Sequence, residues 1–171
     1  AVLTARSPDE VTAAAAGLRR IAGDAVDGQI AEALASAGDS ETRVQFIRLL
    51  QARGARSAVG QLLAEAADPE TAVATAAWRA LGSLGGAPEL PTLVTMAAAC
   101  PEGTTRAAAE ATLVDVATRI DAITSVSASL VRALQVTRDP TLRNSWVRVL
   151  VSLGSATALP ALRAALGDAD A

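Results

Sequence analysis

Glycines at Gly23, Gly54 and Gly85 are each 31 residues apart, and Gly154 lies 69 residues beyond Gly85, which is two such periods plus seven. Each closes one helical pattern and precedes another. A two-helix unit recurring every 20 to 50 residues or so cannot bury its apolar face alone, so successive copies must stack on one another. The chain is therefore expected to form a single array over residues 1–171, with units of about 7–38, 39–67, 68–100, 101–138 and 139–167.

Composition decides what packs such an array. Hydrophobic residues make up 51% of the chain but aromatic ones only 2%, and 42 of the 171 residues are alanine. The core must then be built from Ala, Leu and Val, a mixture that favours helix and lets helix axes approach closely. All 15 basic residues are Arg, with no Lys, His or Tyr, as expected of a GC-rich bacterial genome. Without His the commonest general base and metal ligand are missing. No catalytic constellation stands out, so no enzyme activity, metal or cofactor is expected.

Partners are narrowed in the same way. A net charge of -3 argues against nucleic acid, whose phosphates call for a clustered positive surface. No apolar run approaches the ~20 residues needed to cross a bilayer, so no membrane partner is expected. Cys100, the single cysteine, stands before Pro101 at a helix end and reads as an inert, partly buried thiol.

The helix signals repeat as the glycines do. Ser7-Pro8-Asp9-Glu10 opens a first helix that Gly23 closes, and a second runs from about Val26 to Ala37. Asp39-Ser40-Glu41 starts the next, which ends at Gly54 and is followed by a partner over roughly Ser57 to Ala67. Asp68-Pro69-Glu70 reads as an N-cap followed by proline and an acid, and Cys100-Pro101-Glu102 and Asp139-Pro140 repeat that entry. Pro91 is tolerable only in a first turn, which pins a helix start beside it. The fourth unit lacks its inter-helix glycine: the stretch from Asp115 to Asp121 takes that place, and the seven surplus residues predict about one extra helical turn. Asp115, Arg119 and Asp121 there read as a solvated turn, and Trp78 and Trp146 as large core residues.

Asp68-Pro69-Glu70, Ala80-Leu81-Gly82-Ser83-Leu84-Gly85 and Leu90-Pro91-Thr92-Leu93, echoed from Leu150 to Leu162, resemble the HEAT repeat, in particular its bacterial HEAT-like class. The resemblance covers essentially the whole chain, weakly in the first unit and well in the third and fifth. It implies an all-α, right-handed α-α superhelix (solenoid) of about five HEAT-like, armadillo-like helix pairs, first helices on the convex face and second helices on the concave face. The family's early arginine falls on Arg43, Arg106 and Arg143, which share one repeat slot with Ala74. These are expected to form a structural ladder that binds turn carbonyls or the acids Asp39, Asp68, Glu102 and Asp139, rather than a positive stripe for a ligand.

Such a fold points to an interaction scaffold whose partner is another protein, or another domain of the parent chain, bound along the concave face. Gln29, Glu32, Gln61, Glu65, Thr92, Thr95, Thr124, Ser127 and Arg163 are the residues expected to project there. HEAT-like repeats also occur in bilin lyases, which handle a tetrapyrrole, but two Trp and one Phe leave little here to clasp one. A third reading, the DNA-lesion-binding HEAT-like class, needs a basic groove, whereas Glu32, Glu65 and Glu89 fall on second helices. The chain starts at Ala1 and ends in Gly167-Asp168-Ala169-Asp170-Ala171, which looks like a further repeat entry. It is thus expected to be part of a larger protein, monomeric or weakly associated end to end.

Overall fold

A computed structural model describes residues 23–167. The helix expected between Ser7 and Gly23, and the repeat entry over residues 168–171, lie outside them. Among the described residues there are nine α-helices and no strand, an all-α arrangement of HEAT type. They are α1 (Asp24–Ser36), α2 (Ser40–Arg53), α3 (Val59–Glu65), α4 (Thr71–Leu84), α5 (Leu90–Ala99), α6 (Thr104–Arg119), α7 (Ile123–Val136), α8 (Pro140–Leu153) and α9 (Leu159–Gly167). Short 3-10 turns at Arg56–Ala58, Ala87–Glu89 and Ala156–Ala158 lead into α3, α5 and α9. The chain divides into two compact units, Ala1–Gly85 and Gly86–Ala171.

In the first unit α2 and α4 pack side by side, α1 packs on α2, and α3 packs on α4. Ile30 and Leu34 of α1, Phe46, Ile47, Leu49 and Leu50 of α2, and Val73, Ala77, Trp78 and Leu81 of α4 are all buried. Polar ties fix the register. Arg53 donates to Asp27, joining α2 to α1 through a nearly buried ion pair. Gln51 Nε2 donates to Ser83 Oγ at 3.0 Å, joining α2 to α4.

The second unit repeats the scheme, with α6 beside α8, α5 on α6 and α7 on α8. Leu93, Leu113, Val116, Leu130, Trp146 and Leu150 are among its buried residues, and both tryptophans of the chain are therefore core residues. In each unit first helices pack on one another, and α1, α3, α5 and α7 each pack on the first helix that follows, while α9 touches the preceding α8.

Helix ends follow the residue chemistry at α2 and α8 but depart from it at α6, where Gly103 and not Cys100 holds the N-cap position, and at α4. Asp39 caps α2 by accepting from the Thr42 backbone N–H at 2.8 Å, and Asp139 caps α8 by accepting from that of Thr141 at 2.9 Å, with Pro140 opening the helix. Asp68 is not an N-cap. Glu70 holds that position in α4 without a side-chain bond, while Asp68 accepts from the Glu70 N–H at 2.8 Å and receives Arg43. Pro91 and Pro160 each sit in the first turn of their helix, where no backbone donor is lost.

The two glycines that end α2 and α8, Gly54 and Gly154, adopt left-handed backbone with φ 69° and 63°. At the α6–α7 corner Asp121 takes that role with φ 55°, the one non-glycine residue with positive φ among the described residues. No 3-10 turn follows it. Instead α6 is 16 residues long against 14 in the other first helices α2, α4 and α8, and α7 is 14 against 13 in α1, 10 in α5 and 9 in α9. Part of the surplus of the fourth repeat goes into lengthening its helices.

Candidate functional site

The three arginines of the shared slot all turn toward ends of second helices. Arg43 on α2 donates to Glu65 at the end of α3 and, at 2.5 Å, to Asp68 just beyond it. Gln61 Nε2 also donates to Glu65, at 2.7 Å. Burial works against the charge on Arg43, but its hydrogen bonds with Asp68 and Glu65 outweigh that and hold its pKa above the ordinary value. Burial likewise pushes the Asp68 carboxyl up, and the bond from Arg43 overrides it to leave the pKa lowered. Arg106 is buried and donates to the carbonyl of Cys100, and Arg143 donates to the carbonyls of Leu134 at 2.9 Å and Thr137 at 3.2 Å. Asp39 and Asp139 instead serve backbone donors of their own helices.

Of the residues expected on the partner surface, Gln29, Glu32, Thr92, Thr95, Thr124 and Arg163 are exposed, and Gln61 is half-buried. Two are not surface residues. Glu65 is 5% exposed because Arg43 and Gln61 hold it inward, and Ser127 is fully buried beside Val126 and Leu130 in the inward stripe of α7. Serine passes for a surface residue by polarity, but its small volume fits an alanine-like packing position.

Open grooves lie elsewhere on the second helices of the second unit. One, of about 450 Å³, runs between α5 and α7; Leu90, Pro91 and Val94 form one wall, and Ala122, Ser125, Val126 and Ser129 the other. The second, of about 430 Å³, runs between α7 and α9; Val131, Leu134 and Gln135 face Thr157, Pro160, Ala161 and Ala164, and Arg143 also lines it. Thr92, Thr95, Thr124 and Arg163 line neither, so the groove-facing phase of these helices differs from the expected one. A signal for it was present in the sequence: Pro91 and Pro160, the repeated prolines of Leu-Pro-x-Leu, each line a groove. Proline leaves no backbone donor unmet at that edge and presents an apolar ring.

A family model described as HEAT repeats matches residues 27–114, just over half of the chain. The chain belongs to the HEAT-repeat family. No curated protein and no solved structure matches it. HEAT repeats generally mediate protein–protein interactions, and the family is typically a non-enzymatic scaffold. Among the described residues of this HEAT array no helix is long and apolar enough to cross a membrane, and no group of three or more His, Cys, Asp or Glu side chains is placed to hold a metal ion.

Proposed function

We propose that the chain is a non-enzymatic scaffold that binds another protein, or another domain of its parent chain, across the face formed by the second helices α5, α7 and α9. The observation that carries this reading is the pair of open grooves between those helices, of which the one between α5 and α7 is largely apolar. Anchor side chains of a partner gain most of their binding energy in such desolvated clefts, while the surrounding polar rim contributes little. Nothing favours a tetrapyrrole or an extruded base. Both tryptophans are in the core, no aromatic residue lines either groove, and no basic residue lines the one between α5 and α7.

Site-specific photo-crosslinking in cells that make the parent protein tests the reading. A crosslinking residue at Ser125 or Gln135 should trap a discrete protein species or an intramolecular product, and one at Val151, exposed on the first helix α8, should not. Crosslinks from Val151 alone would move the interface to the opposite helix layer and overturn the proposal.

A further inference from the structure

The groove between α5 and α7 is walled by Leu90, Pro91 and Val94 on one side and by Val126 with Ser125 and Ser129 on the other, and no charged side chain lines it. Its hydroxyls are turned away from a guest. Ser125 Oγ donates to the carbonyl of Ala122 at 2.9 Å and Ser129 Oγ to that of Ser125 at 3.0 Å, so both protons point back onto their own helix. One cation reaches the edge. Arg132 Nη2 donates to Ser129 Oγ at 3.2 Å, which sets the guanidinium beside a residue that lines the groove. Arg132 is exposed, and among the described residues it forms no salt bridge. Two acids adjoin the other end of the groove in sequence. The Glu89 carboxylate accepts from the Gly86 N–H at 2.6 Å, while Asp121, exposed, precedes the lining residue Ala122.

We infer that this groove seats an aliphatic side chain of a protein partner whose neighbouring carboxylate pairs with Arg132. The inference rests on the scaffold reading above and names the partner's chemistry for one of its two grooves. Hydrocarbon walls gain from a leucine or isoleucine side chain that leaves water, whereas a polar one would lose its own hydrogen bonds there, since the serine protons already have acceptors. At the edge the guanidinium has donors left, in a fork that fits a carboxylate. A basic group beside it would be repelled and a neutral one would gain less. Asp121 at the other end opposes an occupant that is negative along its whole length, and no aromatic platform in the groove would stack a base. A single acid beside an aliphatic residue therefore matches the groove better than a run of acids or a nucleic-acid strand.

The test uses fluorescence anisotropy on the whole chain, titrated to millimolar concentration, with labelled peptides: a short one with two leucines followed by an Asp, the same peptide with Asn or with Lys for the Asp, and one with Ala for both leucines. The peptide of leucines and Asp should bind most tightly, and the alanine version should not bind. Arg132→Glu should weaken the Asp peptide at least about fivefold and strengthen the Lys peptide, by the usual size of an exposed charge pair. Ser125→Trp, at an exposed groove position, fills the cleft and should abolish binding, whereas Ala164→Trp in the groove between α7 and α9 should not. Circular dichroism verifies that each variant folds. No binding of the Asp peptide, equal binding of the Asn or Lys peptide, indifference to Arg132→Glu, or the same loss from Ala164→Trp would each overturn the inference. Because crosslinking from Ser125 in cells depends on contact and not on charge, it would still decide the scaffold reading by itself.

Discussion

Glu65 is 5% exposed and meets Arg43, itself about one-fifth exposed, whereas Glu110 meets an Arg148 that is 57% exposed. The two contacts look alike in charge and distance class but differ in what their loss leaves behind. Arg43→Ala strands a buried carboxylate, which should cost about 2 to 3 kcal/mol, the low end for breaking a buried pair because Arg43 still touches water. Arg148→Ala leaves Glu110, 13% exposed, still beside Ser145 and opened to water where the exposed Arg148 had covered it, and should cost less than Arg43→Ala, about 1 kcal/mol. Urea unfolding of the two variants compares them directly. Adding Glu65→Gln to Arg43→Ala should recover part of the loss, since a neutral amide has no charge to strand. Equal midpoints for Arg43→Ala and the parent would mean that Glu65 reaches solvent without its partner. Spacing alone announced Arg43, Arg106 and Arg143 as one slot. It did not tell that the first takes carboxylates and the other two take carbonyls, since that depends on which side chain ends each second helix.

At the scale of elements, the corner between α6 and α7 differs most from the others. Left-handed backbone costs a residue with a Cβ about 1 kcal/mol or more, less for Asp, which bonds locally. Gly54 and Gly154 meet that demand, and nothing lies within 4 Å of where a Cβ at either would sit. Gly154→Ala should therefore lower stability by about 1 kcal/mol through backbone strain alone. Asp121→Gly should be neutral or stabilising by up to about 1 kcal/mol, the reverse of the usual effect of introducing glycine. Thermal melts of both variants check the pair of signs. If Asp121→Gly were clearly destabilising, the carboxylate would have to hold the corner itself. The missing glycine and the surplus of seven residues were both visible in the sequence. That the surplus would replace a 3-10 turn with extra helix on both sides of Asp121 was not, because composition at a corner does not say where the hydrogen bonds resume.

For the molecule as a whole, acid is the informative perturbant. The Thr42 backbone bond holds Asp39 below its ordinary pKa, and the Arg43 bond, against burial, does the same for Asp68. At Glu110 burial pushes the carboxyl up, but Arg148 and Ser145 outweigh it and the pKa is lowered. A carboxyl whose folded pKa lies below its unfolded value adds stability that is complete above the unfolded value, near 4, and is lost as pH falls through the folded one. Melting temperature should therefore be nearly constant from about pH 6 to 8, where a chain without histidine has no side chain of ordinary pKa to titrate, and should drop below about pH 4. Scanning calorimetry over that range decides it. Stability already falling at pH 6 on acidification would mean that these three carboxyls do not set the acid limb.

The period of 31, the alanine-rich core and the helix signals were enough by themselves to specify stacked helix pairs, because those signals are local and repeat with the glycines, and the resemblance of Leu90-Pro91-Thr92-Leu93 and its echo to the HEAT repeat named the family. Buried Trp78 and Trp146 followed from the same repetition. Which residues of the second helices line an open surface was decided only by tertiary packing. Alanine, serine and threonine occur on every side of α5 and α7, so polarity carries little phase, and a one-residue rotation exchanges Thr92 and Thr95 for Pro91 and Val94. Glu65 shows the same limit from the other side: its charge placed it in water, and an arginine 22 residues away in sequence drew it into the protein.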